Sequence, residues 1–245
     1  MMGNQKTGST AIACLLSKAT DSEISQDFLY ALRPPGQHLL FEAGVPLKKL
    51  VQQNRVSFSK QIIKELDLIF CMDQVISCFP KGKFVFLVRD PRDNIGSILN
   101  RLKLPGNLDA LSEKQLETLP HPAWRYIMEG TIYGIEGNGY IETLAKRWCC
   151  IIEKYEIYQS QMHLVRYEDF VADKVSCINQ LAEQLGFSVV KDISGLVDIQ
   201  FQPRGNRDIS WEDFFGTKNL YAIEKICGDK MKALGYKSVN NDLLG

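Results

Sequence analysis

The chain is expected to fold as a three-layer α/β/α protein with a mainly parallel central sheet, and three observations carry that expectation. Phe84-Val85-Phe86-Leu87-Val88 is an unbroken β-branched and aromatic run, the pattern of a strand buried on both faces of a parallel sheet. Short strand-like runs alternate with longer helical stretches along the sequence, as βαβ units require. The chain also opens on a glycine-bracketed turn, Gly3-Asn4-Gln5-Lys6-Thr7-Gly8-Ser9-Thr10, that leads straight into the apolar run Ala11-Ile12-Ala13-Cys14-Leu15-Leu16.

Taken in order, residues 10–18 read as a helix and 22–32 as another, followed by the turn Arg33-Pro34-Pro35-Gly36. Residues 38–42 are expected as a short strand ending at Glu42. Pro46 then opens a helix over Leu47 to Gln53, since proline fits the first helical turn. Val56-Ser57-Phe58-Ser59 alternates like a strand that Lys60 ends. Residues 61–78 have a helical pattern closed by Pro80-Lys81-Gly82. After the strand 84–88, a helix starts at Pro91 and runs through Arg101. Residues 103–122 carry Pro105, Gly106, Pro120 and Pro122 and are expected as a long surface excursion. A helix over 140–159, a strand over Met162 to Val165, and a helix from Asp173 to Leu185 stopped by Gly186 come next. Residues 195–217 read as loop, and Leu220 to Leu234 as the closing helix. No internal repeat is visible.

At 245 residues the chain suits one substantial core and is short for two, so a single domain over 1–245 is expected. Lys plus Arg and Asp plus Glu both number 29, so no global basic field calls for nucleic acid or an acidic membrane, and any anion site must be local. No apolar run approaches the roughly 20 residues that span a bilayer, and the start does not read as a secretory signal. The seven cysteines are odd in number and lack Cys-x-x-Cys spacing, which predicts buried thiols in a reducing, cytoplasmic setting.

Two stretches carry chemistry. In the opening turn, the backbone N–H groups and the positive end of the following helix converge on a volume suited to a phosphate, with Ser9 and Thr10 at N-cap positions. The frame overlaps the P-loop pattern G-x-x-x-x-G-K-[ST], but Ser9 holds the lysine position and the lysine stands back at Lys6. An ordinary glycine turn is the competing reading. The second stretch is Arg89-Asp90-Pro91-Arg92-Asp93-Asn94-Ile95-Gly96-Ser97. An arginine at the carboxyl end of a central strand stands where ligands bind in open parallel sheets, and its planar fork could share an anion with Ser97. Surface ion pairs with Asp90 and Asp93 are the bland alternative.

Together, the displaced-lysine phosphate loop and the strand-Arg-x7-Ser segment resemble the two nucleotide signatures of the sulfotransferases that use 3′-phosphoadenosine 5′-phosphosulfate. The likeness continues in Leu144-Ala145-Lys146-Arg147-Trp148, in Leu164-Val165-Arg166-Tyr167-Glu168-Asp169-Phe170, in Phe201-Gln202-Pro203-Arg204-Gly205 with Trp211, and in the ending Met231 to Tyr236. The resemblance implies a P-loop sulfotransferase fold. It implies that Lys6 and the amides of Thr7, Gly8, Ser9 and Thr10 hold the 5′-phosphosulfate. Arg89, Ser97, Arg204 and the backbone of Gly205 would hold the 3′-phosphate, and Tyr167 would lie against the adenine. The reaction implied is sulfonyl transfer to a hydroxyl or amine of a small-molecule or glycan acceptor, with 3′-phosphoadenosine 5′-phosphate as product and no metal. The acceptor pocket is expected within residues 20–60 and 103–140, where Phe41, Trp124, Tyr126 and Tyr133 would suit a ring-bearing acceptor or serve as core.

Three departures stand out. Many members place a histidine after a Lys-Thr pair at a strand end, where this chain reads Lys60-Gln61-Ile62. Other branches use a glutamate between the first helix and the next strand, which makes Glu42 the first candidate base, with His121 second and Lys60 assisting on the sulfonate. Pro203-Arg204-Gly205 stands for the usual Arg-Lys-Gly, so one cationic contact is missing and Arg207 is an alternative. Finally, the family opens with a buried strand before the phosphate loop, and only Met1 and Met2 precede it here. Either the chain is shortened or another segment fills the gap. A nucleotide-binding protein without turnover and a P-loop small-molecule kinase are the competing functions.

Overall fold

The computed structural model describes residues 1–199 and 209–238. In chain order the first elements are β1 (Met2–Gly3), α1 (Ser9–Thr20), β2 (Ile24–Gln26), α2 (Phe28–Ala31), α3 (Leu47–Gln53), α4 (Arg55–Phe58), β3 (Ile62–Lys64) and α5 (Met72–Cys78). There follow β4 (Phe84–Val88), α6 (Pro91–Leu102), α7 (Glu113–Glu117), α8 (Pro122–Glu129) and α9 (Tyr140–Tyr158). The last are β5 (Met162–Arg166), α10 (Tyr167–Ala172), α11 (Lys174–Gln184) and α12 (Trp211–Ala233). The chain divides into two compact units, Met1–Arg89 with Lys154–Pro203, and Asp90–Glu153 with Arg204–Gly245.

Among the described residues all strand pairs of the first unit are parallel: β1 with β4, β4 with β5, and β2 with β3. Met1 joins the two ladders, because its N donates to Ile63 O at 2.7 Å and its carbonyl accepts from Glu65 N at 3.2 Å, the slanted pattern of a parallel pair. The spatial order is therefore β2-β3-β1-β4-β5, and the carboxyl ends of all five strands share one rim. The position expected of a buried opening strand is held by the two residues of β1, in register with Phe86 and Leu87.

Val85 and Leu87 on one face of β4 pack with Ile12, Leu15, Leu16 and Ala19 of α1 and Ile178, Leu181 and Ala182 of α11. Each large side chain so buried contributes roughly 1.5–3 kcal/mol. Phe86 points to the other face, where its ring stacks on Tyr155 of α9 at 4.4 Å. Helices thus cover both faces of a parallel sheet, as the unbroken apolar run predicts.

In the second unit α6 and α12 are held together around Arg92. Its guanidinium donates to both carboxylate oxygens of Asp90 (3.0 and 2.7 Å), to Glu224 (2.6 Å) and to the Lys237 carbonyl (2.8 Å), and lies 3.9 Å from the Trp211 ring. Asp90 also caps α6, accepting from Arg92 N. Of the surface ion pairs that stood as the alternative reading, the Arg92–Asp90 pair is buried, and Asp93 accepts from Trp211 Nε1 at 2.8 Å. Residues 103–122, expected as a long surface excursion, hold the short α7, and α8 starts at Pro122. The start of that stretch is fastened by Tyr140 Oη to Pro105 O (2.6 Å) and by Asn219 Nδ2 to the carbonyls of Gly106 and Leu108.

Several local expectations are overturned. The stretch 22–32 holds β2 and the short α2, not one helix, because Asp27 within it adopts a left-handed conformation (φ 53) that a helix excludes. Residues 38–42 form a π-helical turn, closed by Ala43 N to His38 O at 2.9 Å, not a strand. Residues 55–58 are helical: Phe58 is buried against Phe28 and Phe79 while Val56 is 75% exposed, which period-2 alternation would not produce. The helix expected over 61–78 is β3, a 3-10 turn over Leu66–Cys71, and α5. Residues 167–172 form α10, and α12 begins at Trp211, nine residues before the expected start, with a break at Gly216 (φ 68, ψ 160).

Candidate active site

The phosphate loop runs from β1 into α1 on the rim where the strands end. Gly3 approaches the β4 backbone so closely that a Cβ there would stand 2.4 Å from Leu87 O. Thr7 Oγ1 donates to Asn4 O at 2.9 Å and Gln5 N donates to Asn4 Oδ1 at 3.0 Å, which fixes the turn. Lys6 sits in the left-handed region (φ 66), sparsely populated by non-glycine residues, and such strain gathers at functional loops. Gly8, also left-handed (φ 79), is the N-cap of α1, so the helix starts at Ser9 without a side-chain cap, and its first turn carries no acidic residue. The helix end thus offers the positive dipole and amides that suit a phosphate.

Arg89 leaves β4 on the same rim. Its Nη1 donates to the Lys6 carbonyl at 3.2 Å, and its guanidinium lies 4.3 Å from the centre of the Tyr167 ring. Tyr167, at the start of α10 just past β5, packs on Gly8: a Cβ at Gly8 would stand 2.5 Å from that ring. The structure therefore brings Lys6, Thr7, Gly8, Ser9, Thr10, Arg89 and Tyr167 together at the ends of β1, β4 and β5. Asp67, buried in the turn after β3, accepts from Gln5 Nε2 at 3.0 Å and from Gln37 Nε2 at 2.8 Å, and so clasps the loop from below.

A residue not foreseen from the sequence completes the site. Lys64, the last residue of β3, is 2% exposed, and its Nζ reaches Thr10 Oγ1 at 3.2 Å and Asp27 Oδ2 at 2.5 Å. Asp27 is half-exposed, and its backbone N donates to Lys64 O at 3.1 Å. The lysine expected to assist, Lys60, instead pairs with Glu23 at 3.0 Å, four residues before the one that meets the loop. The signal was present: Ile62-Ile63 is a β-branched pair before a lysine, but it reads equally as one turn of an apolar helix face.

Glu42, the first candidate base, accepts or shares a proton with His38 Nδ1 at 2.8 Å across the π turn and is exposed. His121 lies in the second unit, buried, where its Nδ1 accepts from Ala123 N at 3.1 Å as the N-cap of α8. Ser97 is half-buried on α6 in that unit. Arg204, Gly205 and Arg207 lie outside the described residues. Phe41 meets Phe70 edge to face at 6.0 Å, Trp124 is buried, and the Tyr133 ring lies 4.3 Å from the Arg147 guanidinium. Among the described residues no group of three or more His, Cys, Asp or Glu could hold a metal ion, and no helix is long and apolar enough to cross a membrane.

No curated protein sequence matches the chain. Among solved structures, a sulfotransferase from Alicyclobacillus acidocaldarius is similar over 93% of this chain and 94% of its own, at 16% identity and a TM-score of 0.46. Residues 29–192, which begin after the phosphate loop and take in Lys64, Arg89 and Tyr167, match the model of the sulfotransferase family. Over that span, more than half of its length, the chain belongs to the sulfotransferase family.

Proposed function

We propose that this protein transfers a sulfonyl group from 3′-phosphoadenosine 5′-phosphosulfate to a hydroxyl or amine of a small-molecule or glycan acceptor. One observation carries the reading: the Arg89 guanidinium hydrogen-bonds the Lys6 carbonyl, so two anion-binding elements 83 residues apart meet beside one helix N-terminus. The loop amides, Lys6 and Lys64 suit a doubly charged phosphosulfate, and Arg89 suits the second phosphate. When bound, that nucleotide supplies a sulfonyl group on a phosphate leaving group. Lys6 neutralises charge that develops on the bridging oxygen, an electrostatic task like that in phosphoryl transfer. Lys64, held at Thr10, adds a second positive charge to the loop. The roles implied for Ser97, Arg204 and Gly205 rest on the resemblance alone.

For the base, Asp27 is favoured over Glu42. Both carboxylates are paired and about half exposed, but that of Asp27 is tied through Lys64 to the phosphate loop, whereas that of Glu42 pairs with His38 across the π turn. His121 is already used as a cap. Thermal stabilisation by 3′-phosphoadenosine 5′-phosphate but not by ATP with magnesium is expected, and the reverse pattern would favour a kinase. 3′-Phosphoadenosine 5′-phosphosulfate labelled in its sulfonyl group and offered with alcohols, phenols, amines and sugars should pass the label to at least one class and release 3′-phosphoadenosine 5′-phosphate, whereas a binding protein would transfer none. With that acceptor, Asp27→Asn should lower kcat at least a hundredfold while Glu42→Gln stays near wild type; the opposite order returns the role to Glu42.

A further inference from the structure

Behind the proposed base lies a carboxyl group that the reaction does not itself use. Glu65 follows Lys64 at the end of β3 and is 6% exposed. Its Oε1 accepts from Phe28 N at 2.6 Å and from Leu29 N at 3.3 Å, the first two amides of α2, and so receives the turn that begins immediately after Asp27. Asp27 is in the left-handed region (φ 53, ψ 24), a conformation that persists only when its surroundings hold it. Two anchors do so: Asp27 N donates to Lys64 O on one side, and Phe28 and Leu29 donate to Glu65 on the other.

We infer that Glu65 is a positioning residue for Asp27, its carboxyl clamping the first turn of α2 so that the Asp27 carboxylate stays on Lys64 beside the phosphate loop. The inference rests on the reading of Asp27 as base. The charged groups that face Glu65 are Asp27 from the turn before α2, Lys64 from β3 and the Met1 α-amino group beside β1. Burial, and then the negative charge of Asp27, push the Glu65 carboxyl up to about 8, against the pull of the two amides and Lys64. The Met1 amine is pushed down to about 5 by burial, so it is neutral in the range, near 8, where Glu65 titrates. Glu65 is then a neutral acid at neutral pH, held so by its burial first and by the neighbouring Asp27 second. Above that range Glu65 becomes a second negative charge close to where an anionic donor must bind, and turnover should fall.

The test is the pH–rate profile of Glu65→Gln and Glu65→Ala, with 3′-phosphoadenosine 5′-phosphosulfate and the best acceptor of the panel, measured beside Asp27→Asn. Glutamine keeps an oxygen for both amides and cannot ionise. Wild type should lose activity with an apparent midpoint near 8, and E65Q should lack that alkaline limb. E65A should lose at least tenfold in kcat with the donor KM little changed, and E65Q should recover most of that loss. Hydrogen exchange of the Phe28 amide should speed up at least tenfold in E65A and not in E65Q. An E65Q profile superimposable on wild type, or an E65A enzyme with wild-type kcat, overturns the inference. If E65A does not fold, the E65Q profile alone decides. A fast Asp27→Asn enzyme overturns both this inference and the base reading, whereas a slow one with an unchanged E65Q profile overturns only the assignment of Glu65.

Discussion

Gly8 and Lys6 show what the phosphate loop demands of single residues. Gly8 has no room for a side chain, since a Cβ would meet the Tyr167 ring at 2.5 Å, and its φ of 79 adds a backbone penalty of roughly 1–2 kcal/mol for any other residue. Gly8→Ala should therefore lower the unfolding free energy by at least that amount in urea denaturation. Adding Tyr167→Ala should relieve the steric part and leave the backbone part, so the double variant should not return to wild type. Lys6 is a different case, because it is half-buried and not one of the buried core residues. Lys6→Ala should abolish transfer and shift the denaturation midpoint little; retained turnover would remove it from the proposed chemistry. The glycines were legible from the sequence because turn geometry leaves few residue choices, and the place of Lys6 in the loop followed from its offset within the P-loop pattern. Lys64 and Asp27 were not, since their roles depend on β3 lying next to β1, a neighbourhood that residue spacing does not encode.

At the scale of elements, long apolar patterns could be read and short ones could not. The strand over 84–88, the helix over 47–53 and the helix after Pro91 appear as expected, each set by a run or a proline signal strong enough to outweigh its surroundings. β2 and β3 have three residues apiece, and partners elsewhere in the sheet decide their state, so the helical pattern over 61–78 misled. The π turn at 38–42 was equally hidden, as one apolar run of that length fits strand or turn. The Arg89–Ser97 segment was read partly amiss: Arg92 is not a surface residue but the centre of a cluster joining α6 to α12. Arg92→Met should cost about 3–5 kcal/mol, because it strands the carboxylates of Asp90 and Glu224 in a buried setting. The same change with Glu224→Gln and Asp90→Asn should cost less, and a urea series on the three proteins would show it.

For the molecule as a whole, the buried carboxyl of Glu65 makes stability depend on pH. Its folded value of about 8 stands above the ordinary 4.5, so between those values the folded state holds a proton that the unfolded chain has released. Stability from this group is fully present below pH 4.5 and drains away as pH rises through about 8, a change on the order of 5 kcal/mol. Unfolding free energies of wild type should fall relative to E65Q over that window, and parallel curves would show that the proton is not held. The α/β class was legible because alternation and the run at 84–88 are global features. The acceptor was not, because recognition of a small molecule depends on side chains drawn from several loops.

The aromatic ring whose edge meets Gly8 has a use of its own. Its circulating electrons should displace the two α-proton resonances of that glycine from their usual frequency, giving a magnetic signature that no labelled ligand is needed to read. Any nucleotide that draws the Arg89 guanidinium away from its seat over Tyr167 would let the ring tilt, and the resonances would move. Occupancy of the loop could then be followed in solution, one titration point at a time, before a single acceptor is known.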